Sequence, residues 1–160
     1  MSLEIKIKVG VLVQKTNKLL LIKELDTSRK QYYWNLIKGT FEPEKDKNLF
    51  AAALRECLEE TGIQVNVKRI LNIFYLKKPT YALLQFNFLG ETKDNPKLAS
   101  KRAQKRRGEN ISEFRWFSKE NINKLKKPEF MNSRTFVTVK EWTSKKSGVN
   151  LNILNFLKRD

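Results

Sequence analysis

The sequence predicts an α+β fold in which helices cover a mixed β-sheet as an α/β/α sandwich. Three observations lead to this prediction: several apolar runs have strand patterns, one long segment has strong helical periodicity, and that helix separates the early strands from the later ones. The chain has 160 residues, which is enough for one well-buried core. We find no internal repeat or linker, so residues 1–160 are predicted to form a single domain.

The first strands are predicted close to the N-terminus. Apolar residues alternate along Glu4–Gln14, which is typical of a strand with one buried face. A turn at Thr16–Lys18 leads to the apolar run Leu19–Ile22, so the two segments are predicted to form a hairpin. An aromatic cluster follows at Tyr32–Trp34. Asn35–Asn48, which contains glycine, proline and many charges, is predicted to be a loop.

The clearest helix is predicted at Leu49–Thr61. Small and apolar residues recur there at helical spacing, and its alanines have high helix propensity. Gly62 follows as a stop signal, and either Asn48 or Asp46 could cap the first turn.

The second half of the chain is predicted to contain three more strands and further helix. The strands are Val65–Leu76, Tyr81–Leu89 and Phe114–Phe117. The basic segment Thr92–Arg107 is predicted to be an exposed loop or a short helix, and a small helix is predicted from Ser118 to about Leu125. The tail, Phe130–Leu157, is predicted to be helical in part, although its β-branched residues disfavour a helix.

Charge and composition narrow the classes of function. The formal net charge is +16, from 33 basic and 17 acidic residues, which favours anionic partners such as nucleotides, polyphosphates or RNA. The chain contains no histidine, which excludes histidine-based zinc sites, Ser-His-Asp triads and histidine general bases. Catalysis would therefore depend on carboxylates, lysine, tyrosine or a hard metal ion.

The cysteine content and the apolar runs indicate a cellular compartment. The single cysteine, Cys57, excludes an internal disulfide and fits a reducing environment. No apolar run reaches the roughly 18–20 residues that a membrane span needs, and no secretory signal opens the sequence. We therefore expect a soluble, cytoplasmic protein without a membrane partner.

Three glutamates crowd one face of the predicted helix. Glu56, Glu59 and Glu60 stand at i, i+3 and i+4, so their side chains lie within a single turn. They repel one another, and they lie near the C-terminal end, where the helix dipole disfavours anions. A solvated acidic face is the usual explanation of such a run. The same cluster also offers the hard carboxylate ligands that Mg²⁺ or Mn²⁺ prefers.

The residues around the cluster favour the metal-binding interpretation. Arg55–Ile63 reads Arg-Glu-Cys-Leu-Glu-Glu-Thr-Gly-Ile, which resembles the second half of the Nudix box at every specified position. Gly39 resembles the glycine that opens the box, and Ala51–Ala53 resemble the small residues that often precede its arginine. Ser112–Ser118 is similar to a late strand that carries a tryptophan in many family members. The resemblance extends to about Leu125 and implies a Nudix-like α/β/α sandwich.

The loop that opens the box departs from the family pattern. The family places a glutamate six residues after the glycine and the arginine eight residues later, but here position 45 is Lys45, and Arg55 falls two residues late. Lys45, Asp46 and Lys47 stand where the first box glutamate is expected. This departure leaves the metal-binding helix intact and bears on the geometry of the loop and the efficiency of catalysis.

The resemblance implies a metal site. Glu56, Glu59 and Glu60 would hold the metal, with one of them acting as the base. The backbone carbonyl of Gly39 or Lys38 would add a ligand. The implied metal is Mg²⁺, with Mn²⁺ as the alternative.

The resemblance also implies further catalytic residues. Arg55 would orient a neighbouring carboxylate through a salt bridge. Family members often draw another glutamate from a later loop, for which Glu109 is the first candidate and Glu113 the second. An ordinary surface carboxylate is the alternative for each.

The identity of the substrate is less determined. Trp34–Gly39 resembles the W-x-x-P-K-G segment of dinucleoside polyphosphate hydrolases, with isoleucine in place of the proline, and Lys38 would then contact a phosphate. Tyr81 lies where those hydrolases often place a base-stacking tyrosine, whereas Pro79 lies near a proline of ADP-ribose pyrophosphatases. Trp34 is another candidate for stacking on a base, although aromatic residues beside a sheet are more often part of the core.

Two functions from different classes follow. The first is a metal-dependent pyrophosphohydrolase that cleaves the diphosphate linkage of a nucleoside diphosphate derivative, such as a dinucleoside polyphosphate or a nucleoside triphosphate, by attack of water at phosphorus. The second is a basic nucleotide- or RNA-binding protein on the same scaffold, with weak or no catalysis. The intact helix favours the first, whereas the longer loop and the positive charge favour the second. Lys101–Arg107 also admits an RNA 5′-end pyrophosphohydrolase, although a solvated loop explains this segment equally well.

Overall fold

The computed structural model describes residues 4–144 and 148–151 and contains one mixed sheet with helices on both faces. The α-helices are α1 (Leu49–Thr61), α2 (Lys101–Arg107), α3 (Lys119–Lys124) and α4 (Ser133–Thr143), and a 3₁₀ turn lies at Lys127–Glu129. The strands are β1 (Glu4–Lys15), β2 (Lys18–Asp26), β3 (Gln31–Asn35), β4 (Ile37–Thr40), β5 (Asn66–Lys77), β6 (Tyr81–Glu91), β7 (Ile111–Phe117) and β8 (Val149–Asn150). Within these described ranges, no helix is long and apolar enough to cross a membrane.

The sheet divides between β1 and β2. Its strand order is β3-β2-β1-β6-β5-β8, with β4 also paired to β1 and β7 to β2. β1 and β2 pair at their hairpin end, at Gln14↔Leu19 and Lys15↔Lys18. Farther along, β1 pairs with β4, whereas β2 pairs with β3 and β7. β1 and β6 are parallel and the other pairs are antiparallel, so the sheet is mixed as predicted.

Two apolar clusters cover the two faces of the sheet. One lies under α1, where Val11 and Ile22 of the sheet pack with Cys57 of the helix. The other lies under α4, where Leu12 packs with Val139. Neighbouring residues of β1 thus belong to opposite clusters, because successive side chains of a strand point to opposite faces. This arrangement confirms the predicted α/β/α sandwich.

Helix α1 has the bounds that the sequence predicts. Of the two cap candidates, Asn48 performs the role: its side-chain oxygen accepts a hydrogen bond from the backbone N–H of Ala51 at 2.9 Å. Gly62 ends the helix in the left-handed conformation, with φ 69°. Asp46 instead accepts two hydrogen bonds from the guanidinium group of Arg55.

The prediction of a loop over Asn35–Asn48 is wrong for its first part. Asn35 is the last residue of β3, and Ile37–Thr40 is the strand β4, which pairs with β1. A strand of four residues is too short to show a periodicity, and the glycine within it weakens the strand pattern further. Pairing with a buried neighbour, which the sequence does not display, decides its conformation.

The tail contains a helix in spite of its β-branched residues. Within α4, Thr135 and Thr138 are buried and use their hydroxyl groups in hydrogen bonds, and Val139 is part of the core. Tertiary packing therefore outweighs the low helix propensity of these residues. Upstream, α2 shows that the end of the basic segment is a short helix. Residues 152–157 of the predicted tail lie outside the described part of the chain.

Candidate active site and metal centre

The guanidinium group of Arg55 connects helix α1 to the loop before it. Its Nε and Nη2 donate to the two carboxylate oxygens of Asp46 at 2.8 and 2.9 Å. Nη2 also donates to the backbone carbonyl of Thr40 at 3.0 Å, and Nη1 donates to Glu56 at 2.8 Å and Glu59 at 3.2 Å. Arg55 thus holds two of the predicted metal ligands and anchors them to β4 and the loop.

Asp46 supplies the carboxylate that the longer loop had left unassigned. Its side chain is almost completely buried, and the hydrogen bonds from Arg55 are the main reason that its pKa lies below the ordinary aspartate value. It also accepts a hydrogen bond from the backbone N–H of Glu42 at 2.9 Å, which closes the loop upon itself. In the loop that departs from the family pattern, the residue after Lys45 thus forms the buried salt bridge with Arg55.

Gly39 is required because the Glu56 carboxylate lies directly against it. A Cβ atom at this position would lie 1.8 Å from both Cδ and Oε1 of Glu56. Gly39 lies on β4 opposite Val9 of β1, on the sheet face that α1 covers. Glu56 is buried there, and burial raises its pKa, while the charge and hydrogen bond of Arg55 oppose that rise. Gly39 and Glu56, both predicted as metal ligands, are thus in direct contact.

Glu60 is a buried carboxylate that is not fully hydrogen-bonded within the described residues. It is 7% exposed, and its Oε2 has no hydrogen-bond partner among the described residues. Burial is the main reason that its pKa lies well above the ordinary value, and the nearby carboxylates of Glu24, Glu56 and Glu109 raise it further, whereas Lys38 opposes them. A buried carboxylate without a partner is stable only with a proton or a cation.

Glu24 is a member of this cluster that the sequence did not reveal. It lies near the end of β2, where its Oε2 accepts a hydrogen bond from Asn35 at 2.5 Å and lies 3.7 Å from Nζ of Lys38. No motif marks this glutamate, because its approach to Glu60 depends on the division of the sheet. The only sequence signal was an acidic residue two positions after the apolar run Leu19–Ile22.

Glu109 joins the cluster from the loop between α2 and β7. Nε and Nη2 of Arg107 donate to its two carboxylate oxygens at 2.5 and 2.9 Å. Nη2 also donates to the backbone carbonyl of Glu59 at 2.6 Å, which ties this loop to α1. The alternative candidate, Glu113, pairs with Arg115 at a more exposed position. The geometry therefore favours Glu109 over Glu113.

The residues of the cluster fit a hard divalent cation. The side-chain atoms that could bind a metal here are all carboxylate oxygens, which Mg²⁺ and Mn²⁺ prefer. Glu60 has an unpartnered oxygen, and Gly39 makes room for Glu56. Across residues 4–144 and 148–151, no three carboxylates already form a ready-made metal-binding group. Arg55 and Arg107 instead bind oxygens of the other carboxylates.

The three predicted substrate-binding residues lie in different surroundings. Lys38 borders the carboxylate cluster, and half-buried Tyr81 lies at the start of β6 with Nζ of Lys6 4.7 Å from the centre of its ring. Trp34 is only 4% exposed, and its ring packs edge-on against Phe117 with centroids 4.8 Å apart. Trp34 is therefore a core residue, and we leave it out of the proposed substrate site.

Comparison with known proteins identifies the family. The family model described as the NUDIX domain matches residues 5–138. The chain belongs to the Nudix family. Membership makes it a hydrolase that acts on phosphoanhydride bonds, as the Arg55–Ile63 segment predicted. No protein of curated function matches the sequence significantly.

Solved Nudix structures share the fold at low sequence identity. A NUDIX hydrolase from Nitrosomonas europaea is 21% identical, with 96% of this chain and 98% of that chain covered and a TM-score of 0.75. A MutT protein from Methanosarcina mazei Go1 is 22% identical over 91% and 96%, with a TM-score of 0.66. The NUDIX domain of Shewanella oneidensis NrtR, solved with ADP ribose, is 10% identical over 91% and 89%, with a TM-score of 0.65.

Replacing Gly39 by alanine tests its contact with Glu56. Gly39→Ala is expected to destabilise the Nudix domain by about 1–3 kcal/mol, because the added methyl group overlaps the carboxylate. In a Glu56→Ala background the same change is expected to cost much less, because the overlapping atoms are gone. Urea unfolding of the four proteins measures the coupling. An equal cost in both backgrounds would show that the contact does not constrain position 39.

Replacing Asp46 tests its buried contact with Arg55. Asp46→Asn is expected to lower the free energy of unfolding by about 1.5–3 kcal/mol, because Arg55 loses a buried charged acceptor. Glu42→Gln serves as the control, since its half-exposed carboxylate lies 3.9 Å from the same guanidinium and is expected to contribute less than about 1 kcal/mol. Urea denaturation midpoints compare the two. Similar losses would contradict a special role for Asp46.

The pH dependence of stability tests the burial of Glu60. The pKa of Glu60 is raised in the folded protein, so the group stabilises the fold fully at pH values below the ordinary glutamate pKa of 4.5. This stabilisation is lost as the pH rises through the pKa of the folded state. In EDTA, Glu60→Gln is therefore expected to gain stability relative to wild type as the pH rises from 4.5 toward 8. Exposed Glu44, changed to glutamine, is the control. A Glu60→Gln difference that stays constant with pH would refute a buried, unpaired carboxylate.

Proposed function

We propose that this Nudix hydrolase is a Mg²⁺- or Mn²⁺-dependent pyrophosphohydrolase that cleaves the diphosphate linkage of a nucleoside diphosphate derivative. The observation that carries the proposal is the buried, unpartnered oxygen of Glu60 within a group of carboxylates. That arrangement is costly for a purely structural protein and is relieved by a divalent cation. Similarity to a Nudix domain solved with ADP ribose supports the nucleotide class of substrate.

The helix carboxylates are the proposed ligands of the metal. Glu56, Glu59 and Glu60 would hold it, with the backbone carbonyl of Gly39 as a further ligand. When bound, the metal would neutralise phosphate oxygens and lower the pKa of a coordinated water. Arg55 would act as a positioning residue, because it holds Glu56 and Glu59 through one nitrogen and Asp46 through the other two.

The proposed reaction is a hydrolytic substitution at phosphorus. The oxygen of water forms a bond to one phosphorus, the bridging P–O bond breaks, and the leaving phosphate retains the bonding electron pair. The proton of the water passes to a carboxylate. Glu59, the more exposed helix carboxylate, and Glu109, held beside Glu60 by Arg107, are the two candidates. Lys38 would contact a phosphate, and Tyr81 would stack on a base.

The structure weakens the argument for a binding protein without catalysis. The longer loop was the main sequence feature in favour of that alternative. Asp46 restores the contact between a buried carboxylate and Arg55, so the loop still supports the helix. The positive charge remains, and it does not distinguish an enzyme from a binding protein.

The position of α2 favours RNA as a second candidate substrate. Lys101, Arg102, Lys105 and Arg106 are exposed on this helix, and Arg107 ties the helix to the end of α1. A strand whose 5′-phosphates lay at the carboxylates could continue along this basic surface. We therefore include a 5′-triphosphorylated RNA among the substrates to be tested.

A substrate screen with a carboxylate variant tests the proposed function. Nucleoside triphosphates, dinucleoside polyphosphates, ADP-ribose and a 5′-triphosphorylated RNA would be incubated with Mg²⁺ or Mn²⁺. Glu59→Gln is expected to lower kcat by about 100-fold or more, because one carboxylate of the metal site is lost. Glu44→Gln, an exposed change of the same kind, is expected to retain wild-type turnover.

Two outcomes would count against the proposal. Turnover that survives Glu59→Gln would contradict the assigned chemistry. Absence of turnover on every substrate with both metals would favour the binding protein.

The salt dependence of turnover tests the RNA candidate. RNA hydrolysis that falls more steeply with salt than hydrolysis of the free nucleotide would favour RNA as the substrate.

A further inference from the structure

Three cationic side chains converge on the sheet face that α4 covers. The register pairs Lys8 with Thr40 and Gly10 with Lys38, so Lys8 and Lys38 lie diagonally on one face. On its other side Lys8 pairs with Gln85 of β6. Oε1 of Gln85 accepts a hydrogen bond from Nε of Arg134 at 3.1 Å. Lys8 thus lies between a strand that carries Lys38 and a strand that contacts Arg134.

The guanidinium group of Arg134 is held by one edge, with its outer nitrogens available. Gln85 is fixed by a chain of amides: its Nε2 donates to Asn87 at 2.9 Å, and Asn87 donates to Asn72 at 2.7 Å. Only Nε of Arg134 is engaged, and within residues 4–144 and 148–151 the two terminal nitrogens have no hydrogen-bond partner. A planar pair of donors of this kind matches two oxygens of a phosphate.

Two of the three cations of this cluster, Lys8 and Arg134, have no ion-pair partner among the described residues. Neither Lys8 nor Arg134 forms an ion pair with a carboxylate of residues 4–144 or 148–151, whereas Lys38 lies 3.7 Å from Glu24. Both Lys8 and Arg134 are partly buried. Burial lowers the pKa of Lys8, and the charges of Lys38 and Arg134 lower it further. An anion between these groups would offset the repulsion.

The cationic cluster lies between the carboxylates and Tyr81. Lys38 contacts Glu24, and both Glu24 and Glu56 are near enough to influence Lys8. On the other side, Tyr81 lies on the same face of β6 as Gln85, four residues earlier, and near Arg134. The cationic cluster therefore has Glu24 on one side, in contact with Lys38, and Tyr81 on the other, near Arg134.

We propose that Lys8, Lys38 and Arg134 form a subsite for a phosphoryl group that lies outside the cleaved linkage. The preferred substrate is then a nucleotide with three or more phosphates, such as a nucleoside triphosphate or a dinucleoside polyphosphate, rather than a sugar nucleotide with only the two bridged phosphates. The assignment of the substrate class rests on the proposed hydrolase function. The binding of a polyphosphate by the three cations does not depend on that function.

Binding of an inorganic polyphosphate tests the subsite without catalysis. Full-length protein in EDTA would be titrated calorimetrically with tripolyphosphate. Lys8→Gln and Arg134→Gln are each expected to weaken binding by about tenfold, because each removes a charged donor. Lys68→Gln and Arg115→Gln, the same changes at exposed positions that pair with Glu91 and Glu113, are the controls and should bind as wild type does. Equal affinity of all five proteins would overturn the subsite.

Turnover of two substrates tests the assigned class. Lys8→Gln and Arg134→Gln are expected to lower kcat/KM for a nucleoside triphosphate by about tenfold and to leave that for ADP-ribose within about twofold. Equal losses on both substrates would contradict a subsite for an additional phosphate. If neither substrate is turned over, the proposed hydrolase function fails, while the tripolyphosphate titration still decides the subsite. Arg134→Lys, which retains the charge, should recover part of the affinity if the variant proteins are folded.

Discussion

The buried carboxylates of helix α1 are the main constraint on the site, because the other residues must compensate their negative charge. Glu56 and Glu60 are both withdrawn from water, and Glu60 has an oxygen with no partner among the described residues. Each such charge costs several kcal/mol unless a cation or a proton compensates it. Arg55 and Lys38 provide part of the compensation. The proposed divalent metal would provide the remainder. The same buried carboxylates thus destabilise helix α1 and supply the ligands for the proposed chemistry.

The sheet keeps the carboxylates and the cations of the site on opposite faces. On the face under α1, Gly39 makes room for the carboxylate of Glu56. On the opposite face, Lys8 and Arg134 approach one another beside Gln85. Because successive residues of a strand point to opposite faces, β4 contributes a glycine to one group and a lysine to the other. Lys38 nevertheless connects the two groups, because its Nζ lies 3.7 Å from Glu24.

The altered loop shows how a departure in sequence can preserve a contact. Two added residues displace the expected glutamate, and Lys45 and Lys47 are unsuitable replacements. Both carboxylate oxygens of Asp46 nevertheless accept hydrogen bonds from Arg55, and the side chain of Asp46 is buried. The contact between charges, and not the spacing along the chain, is what the helix requires. Spacing was therefore a poor guide at this point.

The sequence by itself determined the features that depend on neighbours along the chain. The bounds of α1, its final glycine, the crowded row that includes Glu59, and the Nudix family all follow from local pattern and motif. Only the tertiary structure decided that Glu24 joins the carboxylates, that Asp46 pairs with Arg55, and that Trp34 is in the core. These facts depend on contacts between distant strands and loops. A one-dimensional pattern carries no record of such contacts, because they arise from the free energy of the whole packed chain.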